Sequence, residues 1–270
     1  MKFTVLILIF LCLFSFNLKA QHPPVFEGMT TDTVSLDLND WPVNLVKYSY
    51  GGPNIDFIAI HDNEDTGVKA AFEYIRFSGG SIIDCQYGGG RNFQFIYNDE
   101  EFQTDPNGIY TIPGIIKGLE KYSWAEPEVV KLLDEAAKKI LKLYHPNKAP
   151  YIFALHNNAD GGFGIPSYLK GYELAHFADS LHINFQMDPD DLILVTDVAM
   201  FNGLKKENVN VILQSKNAPD DGSLSYYAMQ NNIPYINVEV QHGHIQEHLM
   251  LIETAVKVMK ETLNLPIKDF

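Results

Sequence analysis

The 270-residue chain predicts an α/β layer fold built on a mostly parallel sheet. Two observations carry that expectation. Short apolar runs, rich in Val, Ile, Phe and Tyr, alternate with stretches of helical periodicity along most of the chain. No repeat, low-complexity tract or Pro/Gly-rich linker divides the chain, so the alternation belongs to one large domain.

Taken in order, Met1-Lys2, the apolar run Phe3 to Phe16 and the polar stretch after it read as a secretory signal peptide, residues 1–20, cleaved after Ala20. A membrane span needs roughly 20 apolar residues, more than this run supplies. An exported (periplasmic or secreted) domain over residues 21–270 is therefore expected. Residues 21–42, with prolines and mixed polarity, predict an irregular lead-in. Strands are expected at "VNLVKYSY", "IDFIAIH", "GSIIDCQ", "YIFALH", "DLILVTD", "VNVILQS" and "YINVEVQ". Helices are expected over 66–77, 126–144, 197–206, 222–232 and 244–263. The second helix is the clearest: Val129, Leu132, Leu133, Ala136, Ile140 and Leu143 form one apolar stripe with lysines opposite.

Residues 21–270 carry 18 basic and 34 acidic side chains, a net charge of −16. Such a surface repels phosphate backbones and anionic lipid, so neither nucleic acid nor membrane is an expected partner beyond export itself. Cys85 is the single cysteine after the leader, which excludes an internal disulfide. Its place in "SIIDCQY" predicts a buried structural thiol.

Three strands end on groups that bind metals or move protons: His61 after "FIAI", His156 after "YIFAL" and Glu239 in "YINVEVQ". Open α/β sheets gather their active crevice at the carboxyl ends of strands, where distant segments meet. Glu64 follows His61 by three residues across a strand-to-helix turn, so both can reach one ion. His61, Glu64 and His156 make a His₂Glu set, the ligand type of a catalytic zinc site with one position open.

Four motifs in order resemble the zinc carboxypeptidase superfamily, and within it the succinylglutamate desuccinylase/aspartoacylase branch. "HDNEDTG" is similar to H-G-N-E-x-x-G, "ALHNNADG" to the D-L-H-x-T segment, "VEVQHG" to the segment carrying the catalytic glutamate, and "DPNG" falls where the branch has D-x-N-R. The resemblance spans roughly residues 50–260. It implies a three-layer fold, helices on both faces of a mixed, mostly parallel sheet. It implies zinc (Zn2+) on His61, Glu64 and His156, with Glu239 as general base taking a proton from the attacking water and passing it to the leaving nitrogen. Arg91, in "GGGRNF", is the candidate to face the oxyanion. Asn107 and, among the fourteen tyrosines, Tyr226 and Tyr227 are the candidate substrate contacts. The expected substrate is a small molecule or peptide with an amide bond. An N-acyl amino acid deacylase and a catalytically silent binding protein are the alternatives. Gly108 stands where the branch keeps an arginine for a substrate carboxylate, and glycine cannot replace a guanidinium clamp.

Remaining features carry blander expectations. His242, His244 and His248 are expected at the rim behind Glu239 or in solvent, since Ile245 occupies the glutamate position of an H-E-x-x-H motif. Asp190-Asp191 and Asp220-Asp221 read as caps and solvated loops. "NADGGFGIP" reads either as a loop over the site or as a simple surface turn.

Overall fold

All seven runs expected as strands pair into one sheet of a computed structural model that describes residues 22–52, 54–147, 149–263 and 265. The expected signal peptide lies outside these residues. The strands are β1 (Thr30–Leu38), β2 (Trp41–Tyr50), β3 (Asp56–Ala59), β4 (Gly80–Gln86), β5 (Phe93–Tyr97), β6 (Glu100–Thr104), β7 (Ile152–Asn158), β8 (Ala178–His182), β9 (Leu192–Val195), β10 (Val211–Gln214) and β11 (Tyr235–Gln241). Nine of them form a sheet in the order β1-β2-β4-β3-β7-β11-β9-β10-β8, and β5 and β6 form a separate hairpin. The central strands β4, β3, β7 and β11 are mutually parallel. Six of the nine strands share that direction, while β2, β9 and β10 oppose it. The sheet is thus mixed and mostly parallel.

The helices are α1 (Asp65–Ser78), α2 (Ile112–Glu120), α3 (Pro127–Tyr144), α4 (Val198–Lys206), α5 (Leu224–Gln230) and α6 (Ile245–Thr262). One apolar core lies under α1, α4 and α6, with Phe72, Met200 and Ile252 packed on Phe57, Phe153 and Val238. A second lies under α2, α3 and α5, with Ile115, Leu133 and Leu224 packed on Ile58, Ala154 and Leu192. The molecule is therefore three-layered. Every residue of β7, β9 and β10 is buried, which is why those strands read as unbroken apolar runs rather than alternations. Cys85, in β4 opposite Leu45 of β2, is fully buried as expected.

Within the lead-in expected over residues 21–42, residues 22–29 are irregular as expected, but β2 begins at Trp41 and Thr30–Leu38 form the edge strand β1. Only Leu36 and Leu38 of its nine residues are buried, so its strand signal is faint. Its hairpin turn, Asn39-Asp40, is made possible by Asn39 at φ 61°. Asn98-Asp99, with φ 51° and 64°, turns β5 into β6 the way a primed two-residue turn requires. β8 and α2 were likewise absent from the expected elements.

Candidate metal centre and its cavity

Register places the two strand-borne groups side by side: β7 and β11 pair in parallel with Glu239 directly opposite His156. The adjacent strand β3 delivers His61 just past its end. Glu64 is the residue before α1, and the first turn of that helix is drawn onto β7 because Gly67 lets it come close. A Cβ on Gly67 would sit 2.9 Å from the Leu155 Cβ and 3.0 Å from a ring carbon of His248. The three ligand candidates converge accordingly. His61 Nδ1 lies 3.1 Å from His156 Nδ1 and 3.0 Å from Glu64 Oε1, and His156 Nδ1 lies 2.8 Å from Glu64 Oε2. Their donor atoms all fall within 4.8 Å of one another.

The protonation chemistry fits a cation at that point. His61 Nε2 donates to Asp105 Oδ1 at 2.8 Å, which leaves the Nδ1 lone pair aimed at the centre. Asp105 is itself held by the Asn107 N–H at 2.8 Å. Two ring nitrogens facing each other with a carboxylate between them repel unless a proton or a metal ion lies among them. Burial opposes charge on His61, yet the carboxylates of Glu64 and Asp105 push its pKa up to about 9. Burial likewise opposes ionisation of Glu64, which is 2% exposed, but His61 and His156 hold its pKa well below the usual carboxylate range. A buried carboxylate of this kind needs positive charge beside it. The His₂Glu set suits zinc, and other divalent ions accept the same donors.

A cavity of about 600 Å³ opens over the centre, lined among others by His61, Glu64, Arg91, Asn107, His156 and Glu239. Glu239 is 8% exposed. Burial, with the negative charge of Glu64 added, pushes its pKa up to about 7, near the value at which a carboxylate serves best as a base at neutral pH. Arg91 reaches Glu64 Oε1 at 2.5 Å and Asp105 Oδ2 at 3.3 Å. Its loop is shaped by Asp62, whose Oδ2 accepts the N–H groups of Tyr87 at 2.5 Å and Gly89 at 2.6 Å. Asn107 lines the cavity while its Oδ1 accepts the Leu224 N–H at 3.1 Å, so it also fixes the start of α5.

Several expectations need correction. Tyr226 and Tyr227 do not line the cavity. Helix α5 buries Leu224 and Ala228, its cavity side is formed by Ser223 and Ser225, and Tyr227 packs on Tyr110 instead. The aromatic hydroxyls in the cavity belong to Tyr168 and Tyr235. Asp190 and Asp191 are buried rather than solvated: Asp190 accepts the Gly161 N–H at 2.6 Å, and Asp191 the Gln241 N–H at 2.9 Å. The Asp190 bond braces the "NADGGFGIP" loop, whose Ala159, Gly162 and Phe163 line the cavity, and the Asp191 bond holds the end of β11. Of the second histidine group, His242 lines the cavity, His244 bonds Asp191 at 3.2 Å, and His248 is wholly buried with neither ring nitrogen partnered. Asn237 went unsingled in the sequence, and Asp105 entered only as the first residue of "DPNG" with no role given, because each acts on a partner through space: one on a residue 44 positions away, the other along a strand.

No family model matches the chain, and no curated protein matches it. Among solved structures it is similar to an aspartoacylase family protein from Mesorhizobium loti, at 13% identity and TM-score 0.42 over 90% of this chain and 63% of that one. It is similar to a succinylglutamate desuccinylase/aspartoacylase from Rhodobacter sphaeroides, at 12% identity and TM-score 0.41 over 90% of this chain and 69% of that one. A third is the murein-tripeptide amidase of Escherichia coli O157, at 12% identity and TM-score 0.38 over 92% and 95%.

Proposed function

We propose that the chain is an exported zinc-dependent hydrolase that cleaves an amide bond in a small or peptidic substrate. The observation that carries this reading is the convergence of His61, Glu64 and His156 within 4.8 Å beside Glu239 in one cavity. A zinc ion held by those three residues supplies Lewis acidity toward a carbonyl and toward water. The protein's own groups do the rest. Glu239 accepts a proton from the attacking water and returns it to the leaving nitrogen. Arg91 presents its guanidinium where charge develops on the carbonyl oxygen. Asp105 keeps His61 in the tautomer whose Nδ1 points inward. Among the described residues no helix is long and apolar enough to cross a membrane.

The test is the metal content of residues 21–270 beside a His61→Ala/His156→Ala variant, followed by an amide-substrate screen. About one zinc per wild-type chain and none in the folded variant is expected. Glu239→Gln is expected to keep its zinc and lose turnover by roughly two to four orders of magnitude, the usual worth of a positioned base. A wild type that takes up no metal when zinc is supplied overturns the reading.

A further inference from the structure

Beyond Glu239 the cavity floor runs along β11. Glu239, Asn237 and Tyr235 are alternate residues of that strand and face the same side. Leu194 of β9 sits opposite Asn237, and Gln214, at the end of β10, closes the far end. At about 3.3 Å per residue, Tyr235 lies roughly 13 Å along the strand from Glu239, room for a long side chain.

Two amide oxygens and one carboxylate of this inner part present acceptors, beside the hydroxyls of Tyr168, Tyr235, Ser223 and Ser225. Asn237 donates from Nδ2 to Glu239 Oε2 at 3.3 Å, which fixes the orientation of the amide, and its Oδ1 is buried without a partner. Gln214 is 4% exposed, and its Oε1 is likewise buried and unpartnered. Asp221, on the facing wall, accepts the Ser223 N–H at 2.9 Å and forms no ion pair among the described residues. The one arginine of the cavity, Arg91, is engaged by Glu64 and Asp105 at the metal end.

A carboxylate entering this space would meet Asp221, Glu239 and amide oxygens with nothing positive left to pair it. An alkyl group would leave the Asp221 carboxylate without a counter-charge. A group bearing several N–H donors and a positive charge satisfies both, with the rings of Phe177 and Tyr235 as walls. We propose that the inner cavity receives a cationic nitrogen group, an amine or a guanidinium, carried on the substrate residue next to the scissile amide. The assignment rests on the hydrolase reading for its scissile bond, but the cavity's preference is measurable without turnover.

The test titrates the zinc-reconstituted wild-type protein calorimetrically with Nα-methanesulfonyl-lysine, Nα-methanesulfonylglutamate and Nα-methanesulfonylnorleucine, which carry no scissile amide. The lysine derivative is expected to bind at least about tenfold more tightly than the other two, a preference that weakens with added salt. Adding Asp221→Asn should cut the preference to about threefold or less with zinc content and melting temperature unchanged, and Gln214→Leu should weaken it independently. Equal binding of the three probes, tighter binding of the glutamate derivative, or no binding by any of them overturns the assignment. Zinc content and hydrolysis of a panel of acetylated amino acids by the wild type separate the two readings. An active zinc protein that favours glutamate refutes the cavity assignment alone. A protein that prefers the lysine probe yet holds no zinc and turns nothing over refutes the hydrolase alone.

Discussion

Asp105 shows what a single side chain contributes to this site. By accepting from His61 Nε2 it decides which ring nitrogen faces the centre. Asp105→Asn is expected to weaken zinc binding about 10- to 100-fold, the usual cost of losing such a partner, measured by competition with a chelating dye. Gly108 is the complementary case. Its Cβ would make only an ordinary 3.8 Å contact, so Gly108→Arg should fold normally and move the cavity's preference from lysine toward glutamate derivatives. His248 is the outlier among buried groups. Burial, with the positive charge of His156 added, drives its pKa down to about 3, whereas an unfolded histidine takes up its proton near 6.5. The unfolded chain therefore binds the extra proton between those values, and stability falls as pH drops through that window. His248→Leu, which also removes two unpartnered nitrogens, is expected to raise the unfolding midpoint and flatten its acid limb. At this scale His61, His156 and Glu239 were legible because chemistry-bearing residues end or interrupt apolar strands, and Glu64 because it follows His61 by three residues across the turn into α1. Asp105 entered only as part of the "DPNG" motif and Asp221 only as a loop acid, while Asn237 was not singled out, since nothing in their local sequence shows which partner each meets through space.

Elements that carry their own apolar signature were legible in sequence, and those that borrow stability from neighbours were not. Helix α3 declares itself by its stripe, while α2 is only nine residues long and contains Pro113, Gly114 and Gly118. Its place in the fold is secured by backbone contact. A Cβ on Gly114 would lie 2.1 Å from the Gly222 Cα, and one on Gly222 would lie 2.2 Å from the Gly108 carbonyl oxygen. Gly222 also adopts φ 76° and its carbonyl accepts the Tyr110 N–H at 2.9 Å. This three-way contact sets the loop that carries Asp221 against the segment that carries Asp105 and Asn107. Gly222→Ala is expected to cost about 1–3 kcal/mol from backbone conformation alone, with steric displacement added, and to disturb cavity binding before metal binding. Thermal unfolding and zinc titration of the variant separate the two effects.

Across the whole molecule the reversal of strand direction between β11 and β9 creates the crevice, a pairing no stretch of sequence announces on its own. The start of the described chain is tied to that crevice from below. His22 contacts Asp62 at 3.2 Å and Asp84 at 3.0 Å, and Asp62 in turn shapes the Arg91 loop. Hydrogen bonds to Asp62 and Asp84 outweigh burial and push the His22 pKa up to about 10 from 6.5. A raised histidine pKa means the folded state holds the proton longer, so this contribution is whole below pH 6.5 and is lost as pH rises through about 10. His22→Ala should therefore destabilise the protein at pH 6 and make little difference at pH 10.5, read from denaturant midpoints.

The burial of Cys85 gives the molecule a built-in clock. Its thiol lies in the third strand of the sheet, with burial pushing its pKa well up, so it is closed to thiol reagents while β2, β4 and β3 stay paired. Labelling then occurs only when the sheet opens, and its rate counts those openings. Adding zinc should slow the clock in proportion to how tightly the centre binds the ion, and in the His61→Ala/His156→Ala variant it should tick at the metal-free rate whatever the zinc concentration.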